Sequence, residues 1–171
     1  HSLLPVNVGY GAEEEFKNIN VLFVIDVSGS TGDEFSSSKQ DDKIAVQKAL
    51  ALELLKGMKL DYKVGAVAFN HYYYVIADLK PLYDNQDMNE TIAKLQFGGG
   101  TVLLQGLRKA HDKLATATGS KNVILISDGN TVYPEDAYTK ATEMAKDGIT
   151  IYAVGVGKDT NVDFMSKIAT A

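Results

Sequence analysis

Short, nearly continuous apolar runs rich in β-branched residues recur along this chain, each closed by polar or turn-forming residues. They span Asn20–Asp26, Lys63–Asn70, Asn122–Ser127 and Thr150–Val156. A run that is apolar at successive positions suits a strand buried on both faces, as in a parallel sheet covered by helices. Between these runs the period lengthens to that of a helix. Asp42–Met58 carries Ile44, Val46, Ala49, Leu50, Leu52, Leu54 and Leu55, with Gly57 near its stop. Leu103–Thr118 sets Leu103, Leu107, Ala110 and Leu114 on one face and ends before Gly119. Pro134–Lys146 opens on proline, where the missing N–H costs least, and finishes before Gly148. A further helix starts at Asn161, with Asn161 or Thr160 as its cap. Tyr73–Asp78 follows Asn70-His71-Tyr72 too closely for a crossover, so it is expected to be an antiparallel neighbour joined by a tight turn. A short helix over Asp87–Leu95 comes next. This alternation predicts an α/β fold: a doubly wound, mostly parallel sheet with one antiparallel edge strand and helices on both faces.

Composition narrows the partners. With 171 residues, 45% of them hydrophobic, the chain can bury one substantial core, which predicts one domain. The net charge is −5 and the 17 Lys and Arg are scattered, which argues against nucleic acid as a partner, because phosphate binding needs a basic footprint. There is no cysteine, so disulfides and thiolate metal sites are excluded. The longest apolar run, Val21 to Ile25, is far short of the ~20 residues that span a bilayer, so no membrane segment is expected here. The chain opens at His1 rather than Met and closes on Ile168-Ala169-Thr170-Ala171 inside a helical pattern. It therefore reads as a piece of a larger protein.

Three separated segments carry small oxygen ligands at predicted strand ends or in a glycine-rich turn: Asp26-Val27-Ser28-Gly29-Ser30, Gly98-Gly99-Gly100-Thr101 and Ser127-Asp128-Gly129. In doubly wound sheets ligands collect at the carboxyl ends of the strands, where strand order reverses. If the strands ending at Asp26 and Asp128 are neighbours there, their loops face one another. The glycines before Thr101 let a third loop approach without Cβ obstruction. Hard cations such as Mg²⁺ take oxygen donors and keep positions for water or a partner. Hydroxyls from Ser28, Ser30 and Thr101 are neutral, so an ion held mainly by them keeps much of its charge and favours an incoming carboxylate. Asp26 and Asp128 can orient those hydroxyls and bound water. Such a site binds and needs no catalysis.

Together these motifs resemble the metal-ion-dependent adhesion site of von Willebrand factor type A domains, over roughly Asn20 to the end of the chain. Ile149–Gly157 is similar to the family's fifth strand. The resemblance implies that Ser28, Ser30 and Thr101 contact the metal, with Asp26 and Asp128 acting directly or through water. It implies Mg²⁺, with Mn²⁺ or Ca²⁺ as alternatives, and a protein partner that completes the coordination with an Asp or Glu. Family members usually close the sheet with a sixth strand after the last helix, so this chain is expected to lack it. Leu3-Leu4-Pro5-Val6 resembles the approach to this domain in membrane-anchored prokaryotic members, which leans towards an extracellular or extracytoplasmic location.

Other roles compete. Family members also serve as subunits of ATP-driven remodelling or metal-chelatase assemblies, the alternative reading. Hydrolysis is disfavoured: phosphatases with an Asp nucleophile after an apolar strand need a second acid two residues on, and position 28 is Ser. No Ser–His or Cys–His pairing is expected. Gly155-Val156-Gly157 has no third glycine in register for a dinucleotide fingerprint. Asp33–Asp42 is expected to be a solvated acidic loop, with a second cation site as the alternative. Tyr72-Tyr73-Tyr74 reads either as alternating exposed and core strand positions or as an aromatic contact surface. His71 and His111 are expected to lack partners, with His111 solvated on its helix.

Overall fold

The computed structural model describes residues 18–29 and 37–170, with the backbone alone for 37–43. Among these residues five strands form one sheet: β1 (Ile19–Asp26), β2 (Lys63–Phe69), β3 (Tyr73–Pro81), β4 (Ser120–Ser127) and β5 (Ile149–Gly155). Their order is β3-β2-β1-β4-β5. β1 runs parallel to β2 and to β4, β4 parallel to β5, and only β3 is antiparallel to its neighbour. The chain thus moves outward from β1 through β2 to β3, then returns to the other side of β1 as β4. Strand order reverses between β1 and β4. Their register sets Ile25 opposite Ile126, so Asp26 and Ser127 leave the sheet side by side.

Five α-helices accompany the strands among the described residues: α1 (Ser37–Lys56), α2 (Met88–Ala93), α3 (Leu103–Ala115), α4 (Pro134–Lys146) and α5 (Val162–Ile168). The two-residue alternation of a strand divides the core into two layers. Leu22, Val24, Val67, Phe69, Leu125 and Ile151 pack under α3, α4 and α5. Val21, Phe23, Ile25, Ala66, Ala68 and Ile126 pack under α1 and α2. Both faces of β1 are therefore dry, which is why its apolar run is unbroken.

Element type agrees with the sequence throughout, and the differences lie at the ends. α1 begins at Ser37, five residues ahead of the predicted Asp42, so much of the expected Asp33–Asp42 loop is helical. Lys39 and Gln40 are good helix formers, and no Gly or Pro intervenes to stop the helix. The rest of that loop lies outside the described residues, as do the acidic side chains of Asp41 and Asp42. The deepest stripe of α1 is Gln47, Ala51 and Leu55, while Val46 turns outward. β3 continues past Asp78 to Pro81, because an edge strand tolerates the outward charges of Asp78 and Lys80. At the far end α5 stops at Ile168 and Ala169 is extended, contrary to the expected running helix. There the Thr170 N–H donates to the Ile151 carbonyl at 2.9 Å, and the Ile151 N–H donates to Thr170 Oγ1 at 2.6 Å. Bonds to the outer edge of β5 replace the next helical turn. No helix among the described residues is long and apolar enough to cross a membrane.

Candidate metal centre

Asp26 closes β1 with its side chain almost wholly buried, 1% exposed. Its Oδ1 accepts from the Ser28 N–H at 2.9 Å, the local turn that Asp favours, and from the Ser28 hydroxyl. Its Oδ2 accepts from the Ser127 hydroxyl across the β1–β4 junction at 2.7 Å. Since Ser28 spends its proton on Asp26, the lone pairs of its Oγ stay available as a ligand. Burial pushes the Asp26 carboxyl above the ordinary carboxylate value. The bonds from Ser28 and Ser127 pull it back, and the negative charge of Asp128 raises it again. The groups bonded to Asp26 are neutral, so its charge is solvated by dipoles alone.

Two further strand ends repeat the device. Asp128 Oδ1 accepts from the Asn130 N–H at 2.9 Å after β4, and Asn70 Oδ1 accepts from the Tyr72 N–H at 2.9 Å after β2. Beside the first of these, Ser127 Oγ accepts from the Gly129 N–H at 3.0 Å. Gly129 adopts φ +77°, and a Cβ there would lie 2.7 Å from Met165 Cγ of α5, so only glycine fits.

The glycine-rich loop is tied to both neighbours. Gly98 N–H donates to the Val27 carbonyl at 2.9 Å, and Gly29 N–H to the Gly99 carbonyl at 3.2 Å. On the other side the Val132 N–H donates to the Thr101 carbonyl at 3.1 Å. Thr131 Oγ1 accepts from the Leu103 N–H at 2.9 Å and lies 3.2 Å from the Thr101 carbonyl. Val102 offers α3 no side-chain cap, so Thr131 supplies one from 28 residues away. Of the three glycines only Gly99 is forced. Its φ is +82°, and a Cβ would lie 2.6 Å from His71 Nδ1.

The Asp26, Thr101 and Asp128 loops thus close a ring of hydrogen bonds at the carboxyl edge of the sheet. Ser28 and Thr101 are half-buried in it, as is Asp128. Ser30 lies outside the described residues. The donor set is two carboxylates with hydroxyls, the chemistry of a hard divalent cation. No group of three or more His, Cys, Asp or Glu able to hold a metal occurs among the described residues. Sequence reasoning overlooked Ser127, Asn70 and Thr131. Ser127 stood beside Asp128 in a motif already noted, whereas nothing local marks the other two.

Three expectations about flanking residues are corrected. Tyr72, Tyr73 and Tyr74 are all exposed, at 61%, 47% and 46%, so they do not alternate between surface and core. The cause is position, since Tyr72 lies in the turn before β3 and Tyr73 and Tyr74 open that edge strand. His111 is not solvated alone: its Nε2 lies 2.6 Å from Asp147 Oδ2 at the end of α4. His71 rests on Gly99 and packs on the Tyr72 ring, centroids 4.4 Å apart.

Residues 20–171 match the von Willebrand factor type A domain. Mouse inter-alpha-trypsin inhibitor heavy chain H2 is 30% identical over 165 residues, covering 88% of this chain. The chain spans only 17% of that relative's length. An aerotolerance-related membrane protein from Bacteroides fragilis superposes with a TM-score of 0.75 at 17% identity, over 89% of this chain and 87% of that one. Proximal thread matrix protein 1 from the mussel byssus, with its MIDAS motif occupied by zinc, also gives 0.75, at 20% identity, over 90% of this chain and 39% of that one. At these identities the two structures establish the fold.

Proposed function

This chain belongs to the von Willebrand factor type A domain family, and we propose that it is a protein-binding module whose partner docks a carboxylate on a divalent cation at the β1–β4 crest. The observation that carries this reading is Asp26. It is a buried carboxylate held by neutral groups and pushed towards protonation by burial and by Asp128, at the point where the Ser28 and Thr101 loops are tied together. A cation there offsets both negative charges. The zinc in the mussel protein's motif supports a divalent ion.

Ser28, Ser30 and Thr101 would hold the ion through their hydroxyls, with Asp26 and Asp128 contributing directly or through water. A bound Mg²⁺ supplies a positive charge that neutral ligands leave incompletely compensated, with a coordination position open to an incoming Asp or Glu. Asp26 orients the Ser28 hydroxyl by accepting its hydrogen bond, and Ser127 holds Asp26. Asp128 adds charge at the crest and ties its own loop through Asn130. These roles bind and orient a partner's acid; none transfers a group.

Calorimetric titration tests the reading. Mg²⁺ or Mn²⁺ is expected to bind the wild-type chain; Asp26→Ala and Ser28→Ala should each remove the heat, and Thr101→Ala should weaken binding while leaving it measurable. Metal at a hundred times its Kd should also stabilise the wild type by about 2.7 kcal/mol. Identical heats in wild type and variants would sink the assignment.

A further inference from the structure

We propose that Asn70, in the turn between β2 and β3, is a positioning residue that sets where the Thr101 hydroxyl is presented; this rests on the cation-dependent reading above. Thr101 follows three glycines, the residues with the most backbone freedom to lose. A ligand on such a segment binds well only if the segment is ordered beforehand, because ordering it on binding costs affinity.

Asn70 grips the segment at both ends. Its Nδ2 donates to the Gly98 carbonyl at 3.0 Å, and its own carbonyl accepts from the Val102 N–H at 2.8 Å. Gly99, Gly100 and Thr101 are the residues between those two bonds. Asn70 is 9% exposed, so water competes little for either. The amide orientation is dictated twice over. Oδ1 must face the Tyr72 N–H, which it accepts at 2.9 Å, and Nδ2 must then face Gly98. The Asn70 N–H also donates to the Tyr72 carbonyl at 3.0 Å, closing the turn. Only a short amide meets these demands. Asp offers acceptors to both sides, Leu offers nothing, and Ser keeps the turn but stops short of Gly98. His71, next in the turn, covers Gly99 and presses the same segment from above. Thr131 holds the downstream side at Leu103, so among the described residues it is Asn70 that joins Gly98 to Val102.

The test is a double-mutant cycle on the chain as it stands, with Mn²⁺ alone as the probe and calorimetry as the readout. Asn70→Ser retains the turn, because a hydroxyl can accept the Tyr72 N–H, and metal-free melting checks its fold. Asn70→Ser is expected to weaken Mn²⁺ binding about tenfold in the wild-type background, the scale seen for groups that orient metal ligands. In a Thr101→Ala background it should cost nothing further, because the ligand it positions is gone. Equal losses in both backgrounds, or a Kd for Asn70→Ser within about twofold of wild type, overturn the proposal while leaving the cation site standing. Failure of the wild-type chain to bind Mn²⁺ overturns the cation reading, and Asn70's role with it.

Discussion

A carboxylate withdrawn from water needs charge or strong hydrogen bonds in exchange, and at Asp26 the exchange is made with neutral donors on Ser28 and Ser127. The metal-free protein should therefore carry a cost at this residue. Because burial raises the folded-state value above the unfolded one, the native state holds the proton more tightly. Stability from this group is then greatest below the ordinary carboxylate range, near pH 4, and falls as pH rises through the elevated native value. An amide at this position has no proton to lose and would lack that dependence. In EDTA, Asp26→Asn should gain on wild type as pH rises from 4 and end the more stable of the two at neutral pH. If the proposed cation site is right, saturating Mg²⁺ should reverse the order, since only wild type keeps a carboxylate there. Melts across pH check both halves; an Asp26→Asn chain less stable than wild type at neutral pH in EDTA would contradict the account. The identity of Asp26 was legible from its place after an apolar run, but its burial and its bond to Ser127 were not.

At the scale of elements, α3 lies unusually close to the sheet. A Cβ at Gly106 would sit 2.6 Å from Phe69 Cδ1 and 2.9 Å from Val24 Cγ1, and both side chains are fully buried. In an exposed helix Gly→Ala stabilises by about 1 kcal/mol. Here neither neighbour has room to give, so overpacking prevails. Gly106→Ala should destabilise by about 1–2 kcal/mol net, measured by urea unfolding, and any gain in stability would show that the contact relaxes. This constraint escaped the sequence pattern, in which Gly106 is one more residue between Leu103 and Leu107. The elements themselves were legible: Pro134–Lys146 was read residue for residue, because Pro at its start and Gly148 after its end are local signals. The His111–Asp147 contact was not, since it joins α3 to the end of α4 across 36 residues.

For the whole molecule, the two core layers share one sheet, with β1 and β4 contributing side chains to both. Loss of packing on one face should therefore be felt on the other. Leu125 is fully buried on β4, an interior strand of the sheet. Leu125→Ala should cost about 2–5 kcal/mol and shift the far-UV and tyrosine-fluorescence transitions together. Separate transitions would mean that the layers unfold independently. The same sheet sets the site: the reversal of strand order at β1–β4 brings Asp26 and Ser127 together, and the outward path through β2 puts the Asn70 turn against the glycine loop.

The amino-acid pattern alone determined the class of fold, the type of nearly every element, the single antiparallel edge and the three motif loops. Burial and turn chemistry act over a few residues, so each position carries its own share of that information. Only the tertiary structure decided which groups meet: Ser127 on Asp26 from 101 residues away, Thr131 capping α3 and Asn70 bridging Gly98 to Val102. A hydrogen bond depends on where both partners end up, to within a few tenths of an ångström. That depends on strand order and register, which are properties of the folded chain as a whole and of no segment by itself.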